Sequence, residues 1–550
     1  MTPLIEFVGV LLHGFDFIAL ALTVGGVTAA LAVLQPWRPL TIMGQIALRS
    51  SVIWIAVGGG VLVAIQALRL GLQFLLLTDE LREWPVIQFL ETGFAQAGII
   101  RVMAALGLTI VSWLWLMRRP TSLAAWIVLA LCASGMVVAG AWSVHGASRI
   151  DDRIPLMIIT VLHQAAAIIW VGGVFHLLVL WRLLWGNLEI SYLWPRWLAR
   201  FSLLALGSVI LLVTAGAYLA IAYVGSWQGL VGTGYGVMVI AKTILLALAL
   251  VLAARNFSQV RQWRKHHQAK GVLEKVPLFL GVESWVLGVV LLLAATLTSL
   301  PPAVDTPNQQ QASFSEVIGH FMPRMPHLIP PSREEYSAAA SSVFDNYAVP
   351  VAAERAQSNF NHNFSGVIVL VMALLALVDR SKYFTWARHW PLLFLGLAVF
   401  LFLFAASTVW PLGPESFWST LQVPVVLQHR LLTVLVIALG LFEWRVRIGK
   451  IADPRALLVF PWLCLVGGAL LLTHSHTVFA LKSEFLIEAH HAALGILAVI
   501  MGVGRWLELR LAPIGGYWAG WVWRLPFVLV GLLLLFYFEP PISAGVERWN

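Results

Sequence analysis

Long apolar runs alternate with short polar segments along almost the whole chain. A helix needs roughly 18 or more apolar residues to cross a membrane. Runs near that length lie at 4–34, 48–77, 97–117, 122–144, 155–185, 198–224, 235–256, 278–300, 364–378, 389–411, 424–444, 456–474, 484–507 and 521–538. The pattern predicts an all-α polytopic membrane protein with about 14 transmembrane helices. The first run has no basic leader and is long enough to span, so it predicts a membrane helix rather than a cleaved signal peptide.

One long polar segment, residues 301–362, separates eight of these runs from the other six. We therefore predict an eight-helix membrane domain at 1–300, an extracytoplasmic loop containing Met and His at 301–362, and a His-rich six-helix membrane domain at 363–550. The middle segment contains charges of both signs and several prolines. That composition is compatible with a small extracytoplasmic subdomain or with a partly ordered linker.

The charges of the connecting loops alternate along the chain. Every second loop is basic, with Arg38 and Arg49, Arg118 and Arg119, Arg182 to Arg200, Arg255 to Lys270, Arg380 to Arg388, Arg445 to Arg455, and Arg505 with Arg510. The loops between them are neutral, acidic or mixed. Because cytoplasmic loops of membrane proteins are enriched in Lys and Arg, this alternation places both termini outside the cytoplasm.

The composition agrees with a membrane environment and excludes several other classes. The chain is 60% hydrophobic and only 11% charged, so lipid is its expected surrounding. The net charge of +9 would suggest nucleic acid in a soluble protein, but here topology explains it and no nucleic-acid partner is expected. Cys132 and Cys464 both lie in apolar runs, which argues against a disulfide framework and against a cysteine-based zinc site.

Histidines accumulate on one predicted side of the membrane. Of the 15 histidines, those in predicted outer loops or outer helix halves are His13, His145, His163, His320, His327, His362, His429, His474, His476, His490 and His491. Polar groups within a span are costly and face protein or a cavity. The accumulation therefore predicts metal or haem binding at the outer face, although single histidines such as His145 and His176 also serve as interhelical hydrogen-bond partners.

Helical spacing predicts which of these groups share a face. In the first run, Glu6, His13 and Asp16 fall on one side of the helix. In the run 484–507, Glu484, Glu488 and His491 share a face with His490 beside them, and the short sequence His474-Ser-His476 ends the preceding run. We expect these groups to converge at the outer surface.

The stretch GHFMPRMPHLIPP at 319–331 contains two imidazoles and two thioethers in a proline-rich loop. His320, Met322, Met325 and His327 form a soft ligand set that favours Cu(I) over hard cations. Arg324 lies between them and repels a cation, so a solvated loop with incidental methionines is the alternative.

Residues 197–298 carry motifs that resemble the copper resistance protein D (CopD) family. The sequences RFSLLALGSVILLVTAGAYLA and LVGTGYGVMVIAKTILLALALVLAARNF contain the matching positions Arg200, Phe201, Ser202, Gly216, Tyr235, Gly236 and Lys242. The preceding stretch LHQAAAIIWVGGVFHLLVL resembles the helix before that domain, with His163, Trp170, Gly172 and Gly173. The resemblance covers roughly residues 1–300, and the C-terminal half resembles an extension found on longer relatives.

The resemblance implies copper movement across the bacterial inner membrane, with both termini periplasmic and with copper received from a periplasmic carrier. We expect Gly172, Gly173 and the run Gly58–Gly60 to allow close helix approach. Lys242 either lines a polar path or pairs with an acid such as Asp16 or Glu283. The candidate metal ligands are His13, Asp16, His163, His320, Met322, Met325, His327, His474, His476, Glu488, His490 and His491.

Three functions remain open from the sequence. The first is copper transport, with copper as Cu(I) or Cu(II) and with His13, Asp16, His163 and Lys242 along the path. The second is a haem-b redox protein with axial ligands His429 and His490 or His491, or His163 and His13. The third is a scaffold that delivers copper to a cuproenzyme partner. No nucleotide-binding or phosphorylation motif is recognisable, so we do not expect an enzyme.

Overall fold

The computed structural model describes residues 2–144, 149, 151–267, 269–330, 352–381, 383–405, 409–473, 482–511 and 516–539. In this part of the chain, twelve helices are long and apolar enough to cross a membrane. They are α1 (Phe7–Leu34), α2 (Ile42–Leu81), α3 (Gly93–Leu116), α4 (Leu123–Gly140), α5 (Arg153–Leu184), α6 (Ile190–Val224), α7 (Gly234–His266), α8 (Val276–Asp305), α10 (Arg355–Arg380), α11 (Thr385–Phe404), α12 (Val426–Arg447) and α14 (Phe485–Leu511).

Several shorter helices accompany these spans. The apolar helices α13 (Ala456–Leu472) and α15 (Ala519–Leu535) lie where the remaining two spans were predicted. The short helix α9 (Phe314–Phe321) lies within the polar segment. The all-α polytopic class is confirmed, because the described residues form no β-strand and each predicted run contains a helix. The number of 14 spans and the side of the termini stay predictions.

Helix α1 departs from regular α geometry in two π-helical turns, Ala21–Gly25 and Ala30–Leu34. A π turn leaves a backbone carbonyl without its usual partner. His176 on α5 supplies that partner, since its Nε2 lies 2.9 Å from the carbonyl oxygen of Leu22. His176 is therefore an interhelical hydrogen-bond partner, which is the structural role that was predicted for it.

Four of the five glycines that were predicted to allow close helix approach, Gly58, Gly59, Gly172 and Gly173, do lie at close contacts. A Cβ atom on Gly172 would lie 1.9 Å from the carbonyl oxygen of Ala21, so α5 and α1 touch through their backbones. A Cβ on Gly59 would lie 2.4 Å from Oγ1 of Thr109 on α3. Gly60 has no atom within 4 Å of such a position, so it permits no close approach.

Helices from both sides of the polar segment pack directly together. Helix α14 lies against α7 and α8, and α13 lies against α8. The ring of Trp285 on α8 is centred 3.5 Å from Trp462 on α13 and 6.5 Å from Trp506 on α14. One buried apolar cluster runs through the first eight helices and into α13 and α14. The division into three domains stays a prediction.

Residues 301–330 fold onto one end of the bundle, which we call the loop end. The backbone N–H of Ala312 donates to the carbonyl oxygen of Gly232 at 2.9 Å. Arg149 pairs with Asp305 at 3.0 Å. Helix α9 begins with a capping box, in which Ser313 and Glu316 each satisfy the other's backbone N–H. These contacts favour the subdomain alternative for this part of the polar segment; residues 331–351 lie outside the described residues.

Candidate metal centre

Four histidines and one tyrosine meet at the loop end. The ring of His320 is centred 4.7 Å from that of His490, and His490 is 4.9 Å from Tyr537. Tyr537 stacks on His362 at 3.9 Å, and His362 lies 6.0 Å from His491. We call these five residues the imidazole cluster. They come from α9, α10, α14 and the residues that follow α15, so separate parts of the chain assemble the cluster.

Local helix geometry directs the rings of this cluster. His320 is in the last turn of α9, and its side chain is 4% exposed. His490 and His491 are consecutive on α14, so they point about 100° apart around the helix. His490 meets α9, where Phe321 stacks on it at 4.3 Å, whereas His491 meets His362 on α10.

Two ring nitrogens in the cluster are buried without a hydrogen-bond partner among the described residues, namely Nε2 of His320 and Nδ1 of His490. The backbone carbonyl of Leu486 is a weak hydrogen-bond acceptor for both rings. By contrast, Nδ1 of His362 lies 2.8 Å from the carbonyl oxygen of Ser358. Buried polar atoms normally have partners, so the two nitrogens are candidates for holding a ligand.

The protonation state of His320 suits metal binding. Burial and, less strongly, the nearby charge of Arg324 lower the pKa of His320, while the Leu486 carbonyl opposes the shift, and the resulting pKa is about 4. The ring is therefore neutral at pH 7. A neutral imidazole has the free lone pair that a metal ion needs.

The buried carboxyl group of Glu539 holds the hydroxyl of Tyr537 in place. Its hydroxyl donates to Oε1 of Glu539 at 2.6 Å, and the hydroxyl of Ser358 donates to the same oxygen. The backbone N–H of Glu539 donates to Asn359 at 2.7 Å. Burial raises the pKa of the Glu539 carboxyl group. Burial and the charge of Glu539 both raise the pKa of the Tyr537 hydroxyl. The phenol therefore stays protonated and holds its position beside His362.

The loop motif contributes one of its four predicted ligands to this cluster. Met322 and Met325 are exposed, the latter by 87%. His327 is also exposed, and its backbone N–H donates to Asn363 at 2.6 Å. His320 is thus buried at the end of α9, whereas the other three side chains of the motif are exposed, and their joint binding of copper stays a prediction.

The other predicted C-terminal ligands have different surroundings. His474 and His476 lie outside the described residues. The carboxylate of Glu488 lies beside Gly234 at the start of α7, where a Cβ would come within 2.7 Å of Oε2. A helix N-terminus attracts a carboxylate. His429 on α12 lies near enough to His362 for their charges to interact. No group of three His, Cys, Asp or Glu side chains suited to one metal ion occurs among the described residues.

In the N-terminal half, His13 and Asp16 lie close together on α1. Two arginines, Arg69 on α2 and Arg101 on α3, fill the space beside them. Asp16 is fully buried and accepts from Arg101 at 2.7 Å and from Gln66 at 2.5 Å. Arg69 lies 3.8 Å from Asp16 and donates to Nδ1 of His13 at 2.9 Å. Arg69 and Arg101 were not predicted as site residues, although a charged residue inside an apolar run is a signal that could have identified them.

His163 and Lys242 lie in the region that resembles the CopD family. Nδ1 of His163 is 3.1 Å from the carbonyl oxygen of Leu212. The ring covers Gly216, where a Cβ would lie 2.9 Å from Cε1. The ammonium group of Lys242 is near enough to act on this ring electrostatically. These contacts join α5, α6 and α7.

The predicted alternative partners of Lys242 are engaged elsewhere. Glu283 accepts from Nε1 of Trp170 at 3.0 Å and from Asn256 at 2.8 Å. Asp16 pairs with arginines instead. The expectation of an ion pair between Lys242 and either acid is therefore wrong, because each acid has nearer donors on its neighbouring helices.

Charged residues of α10, α12, α14 and α15 form a layer near the ends of these helices that lie opposite the loop end. This ion-pair layer consists of Asp379, Glu443, Arg447, Arg505, Glu508 and Arg524. Its N···O distances include 2.7 Å for Arg447 to Asp379 and 3.1 Å for Arg505 to Glu443. On α14, the layer begins 15 residues after His490, or about 22 Å along the helix axis. From the sequence, Arg447 and Arg505 were topology signals only, and Arg524 was not identified.

Comparison with known proteins agrees with the resemblance seen in the motifs. Residues 195–297 match the family described as copper resistance protein D. Copper transport protein CutJ of Bacillus subtilis (strain 168) is 28% identical over 185 residues, which is 34% of this chain and 32% of that protein. The chain thus spans about a third of the length of the curated relative it matches. No solved structure matches it. The predicted family resemblance is confirmed, and helices α6 to α8 of this membrane protein form a segment of copper resistance protein D type.

Proposed function

We propose that this protein binds copper and transports it across the bacterial inner membrane, and that it receives copper at the loop end on the periplasmic side. The observation that carries this proposal is the match of residues 195–297 to copper resistance protein D, together with the similarity to a copper transport protein.

The loop end has ligand chemistry that supports copper binding. Exposed thioethers of Met322 and Met325 lie in the same segment as the buried imidazole of His320. Thioether and imidazole ligands favour copper over hard cations. The loop end also adjoins the CopD-type segment, because Glu488 on α14 lies beside Gly234 at the start of α7.

Polar groups inside the bundle are candidates for the transport path. A metal cation is costly in hydrocarbon, so its path requires polar side chains. His163 and Lys242 supply such groups between α5, α6 and α7, while His13 and Asp16 supply them between α1, α2 and α3. We propose these four residues as path residues, with Arg69 and Arg101 setting the local charge.

The first experiment compares cellular copper content and copper tolerance in strains with and without the gene. We expect both to change on deletion, and unchanged values would contradict transport. A stable copper-loaded complex with a cuproenzyme, without a change in cellular copper, would instead favour the delivery scaffold. An absorption spectrum of the purified protein tests the haem alternative through its Soret band, with His429, His490 and His491 as the first residues to replace.

A second experiment tests the loop itself by metal analysis of the detergent-purified protein. We expect bound copper to fall when His320, Met322, Met325 and His327 are all changed to Ala. The matched control changes four exposed apolar residues of the same segment to Ala: Phe314, Ile318, Leu328 and Ile329. Equal copper in both variants would remove the loop from the proposal.

A further inference from the structure

We propose that the protein binds one anionic phospholipid, with an acyl chain in a groove between α1, α4 and α5 and with the phosphate beside Arg38. The inference goes beyond the proposed function, since no copper ligand takes part in it. It assigns a role to a cavity whose lining includes neither the imidazole cluster nor the path residues.

The groove has a volume of about 590 Å³, within the usual range of ligand cavities of about 300–1,000 Å³. It follows α1 from Val24 to Gln35, which is three helical turns. Its side walls on α4 and α5 consist mainly of Ala and Val, and short side chains such as Ala133 and Ala165 leave the space between the helices unfilled. Val138 on the rim is 44% exposed, so the groove opens onto the surface that faces lipid.

Hydrocarbon is the chemistry that suits most of this groove. Thr28 is one of its few polar lining residues, and its hydroxyl donates to the carbonyl oxygen of Val24 at 2.9 Å, so the wall stays apolar. An unfilled apolar groove loses the dispersion contacts that packed atoms make. Three helical turns measure on the order of 15 Å, half of a hydrocarbon core of about 30 Å. The groove therefore has the length of one acyl chain in one leaflet.

The groove ends in polar groups at the level of lipid headgroups. Gln35 ends α1 in the left-handed backbone conformation, with φ 58°. Its side-chain Oε1 is buried without a hydrogen-bond partner among the described residues. Trp37 lines this end and is 53% exposed, and tryptophan is typical of the headgroup region of membranes. A headgroup hydroxyl, such as that of phosphatidylglycerol, supplies the donor that Gln35 lacks.

Arginines near this end supply positive charge for a phosphate. The backbone N–H of Arg38 donates to the carbonyl oxygen of Gln35 at 3.0 Å, so Arg38 lies one turn beyond the groove. Arg38 and Arg196 lie near enough to Arg200 for their charges to interact. The α1–α2 loop contains no acidic residue, and the α5–α6 loop contains one, Glu189. Three guanidinium groups thus outnumber one carboxylate, and arginine binds phosphate through paired hydrogen bonds.

The test is native mass spectrometry of the detergent-purified full chain, titrated with phosphatidylglycerol or with phosphatidylcholine that carries the same acyl chains. We expect the first phosphatidylglycerol to bind more tightly than the first phosphatidylcholine. Arg38→Gln should weaken phosphatidylglycerol binding roughly fivefold, the usual effect of one basic residue at an anionic membrane surface. Arg261→Gln is the matched control, because it removes an exposed arginine near the same end of α7, away from the groove. It should leave the first binding event unchanged.

A second pair of variants tests the acyl-chain part of the groove. Ala165→Phe places a ring in the groove and should weaken binding of both lipids. Leu162→Phe on the same helix is its control, since Leu162 is 38% exposed and does not line the groove. Thermal melts establish that each variant is folded. If Ala165→Phe does not fold, the exposed position of Arg38 still allows the headgroup test.

Three results would overturn the proposal. The first is equal affinity of the wild-type chain for the two lipids, and the second is unchanged phosphatidylglycerol binding in Arg38→Gln or in folded Ala165→Phe. The third is a lipid-free dimer that Ala165→Phe dissociates, because a second copy of the chain would then occupy the groove. None of these results bears on copper transport, which the cellular copper measurements test separately.

Discussion

A carboxylate buried inside a membrane bundle is stable only where donors surround it. Asp16 meets this condition through Arg101, Arg69 and Gln66, all on neighbouring helices. The two guanidinium groups carry two positive charges, whereas the carboxylate supplies one negative charge. His13 accepts a hydrogen bond from Arg69. Removing the acid therefore leaves a buried positive charge without a counter-charge. This destabilises the protein more than replacing the whole charged network by apolar residues would.

We expect Asp16→Asn to lower the free energy of unfolding by about 3–5 kcal/mol, the usual effect of breaking a buried pair. Thermal unfolding in detergent measures this loss. Asp79→Asn is the matched control, because Asp79 pairs with Arg82 at 3.4 Å on the surface, with 63% and 84% of the side chains exposed. Exposed pairs contribute about 0–1 kcal/mol. Equal losses in the two variants would contradict the role assigned to the buried network.

The buried ring of His320 should make stability depend on pH. Its pKa is about 4 in the folded protein and 6.5 for the free side chain. Between these values the unfolded chain binds more protons, so stability rises with pH from about 4 to 6.5 and is constant above that. The full effect is on the order of 3 kcal/mol. His320→Gln should remove this part of the pH dependence in unfolding experiments, and an unchanged profile would show that the ring is accessible to protons.

At the scale of helices, backbone contact between α1 and α5 depends on the absence of side chains. Gly172 faces the carbonyl of Ala21 and the Cα of Gly25 at distances that exclude a Cβ atom. Without a hydrophobic driving force between helices in lipid, such close packing provides much of their association. The same contact holds the π-helical turn of α1 against His176.

We expect Gly172→Ala to destabilise the protein by about 1–3 kcal/mol, the usual cost of inserting a methyl group into a packed region. The added Cβ would lie 1.9 Å from Ala21 and 2.7 Å from Gly25, both backbone atoms that cannot rotate away. Gly60→Ala is the control, since it meets nothing within 4 Å. Its better helix propensity should leave stability equal or slightly higher. Thermal melts of both variants in one detergent provide the comparison.

At the scale of the whole molecule, the C-terminal helices form a bundle with two distinct polar ends. The imidazole cluster lies at the loop end, and the ion-pair layer lies toward the opposite end of α10, α12, α14 and α15. From the positive-inside rule we predict that the arginine-rich end faces the cytoplasm and the histidine-rich end faces the outside. A copper ion that leaves the cluster inward would therefore meet a layer of guanidinium groups, which repel it unless the layer rearranges.

This orientation can be tested with single cysteines in a variant that lacks Cys132 and Cys464. Met325→Cys and Tyr383→Cys suit the purpose because both residues are 87% exposed. We expect a membrane-impermeant thiol reagent to label Met325→Cys in intact spheroplasts, and to label Tyr383→Cys only after lysis. The reverse result would invert the predicted topology and place the imidazole cluster in the cytoplasm.

The sequence by itself determined the membrane class and the positions of the helices, because insertion depends on the length and polarity of each local run. It also determined the family resemblance through the motifs around Arg200 and Lys242. Only the tertiary structure decided which polar groups meet. Arg101 and Asp16 are 85 positions apart, and His320 meets His490 across the rest of the polar segment and the four helices α10 to α13. Periodicity fixes the face of a helix on which a residue lies, but not the helix that will cover that face, and ligand sets depend on that choice.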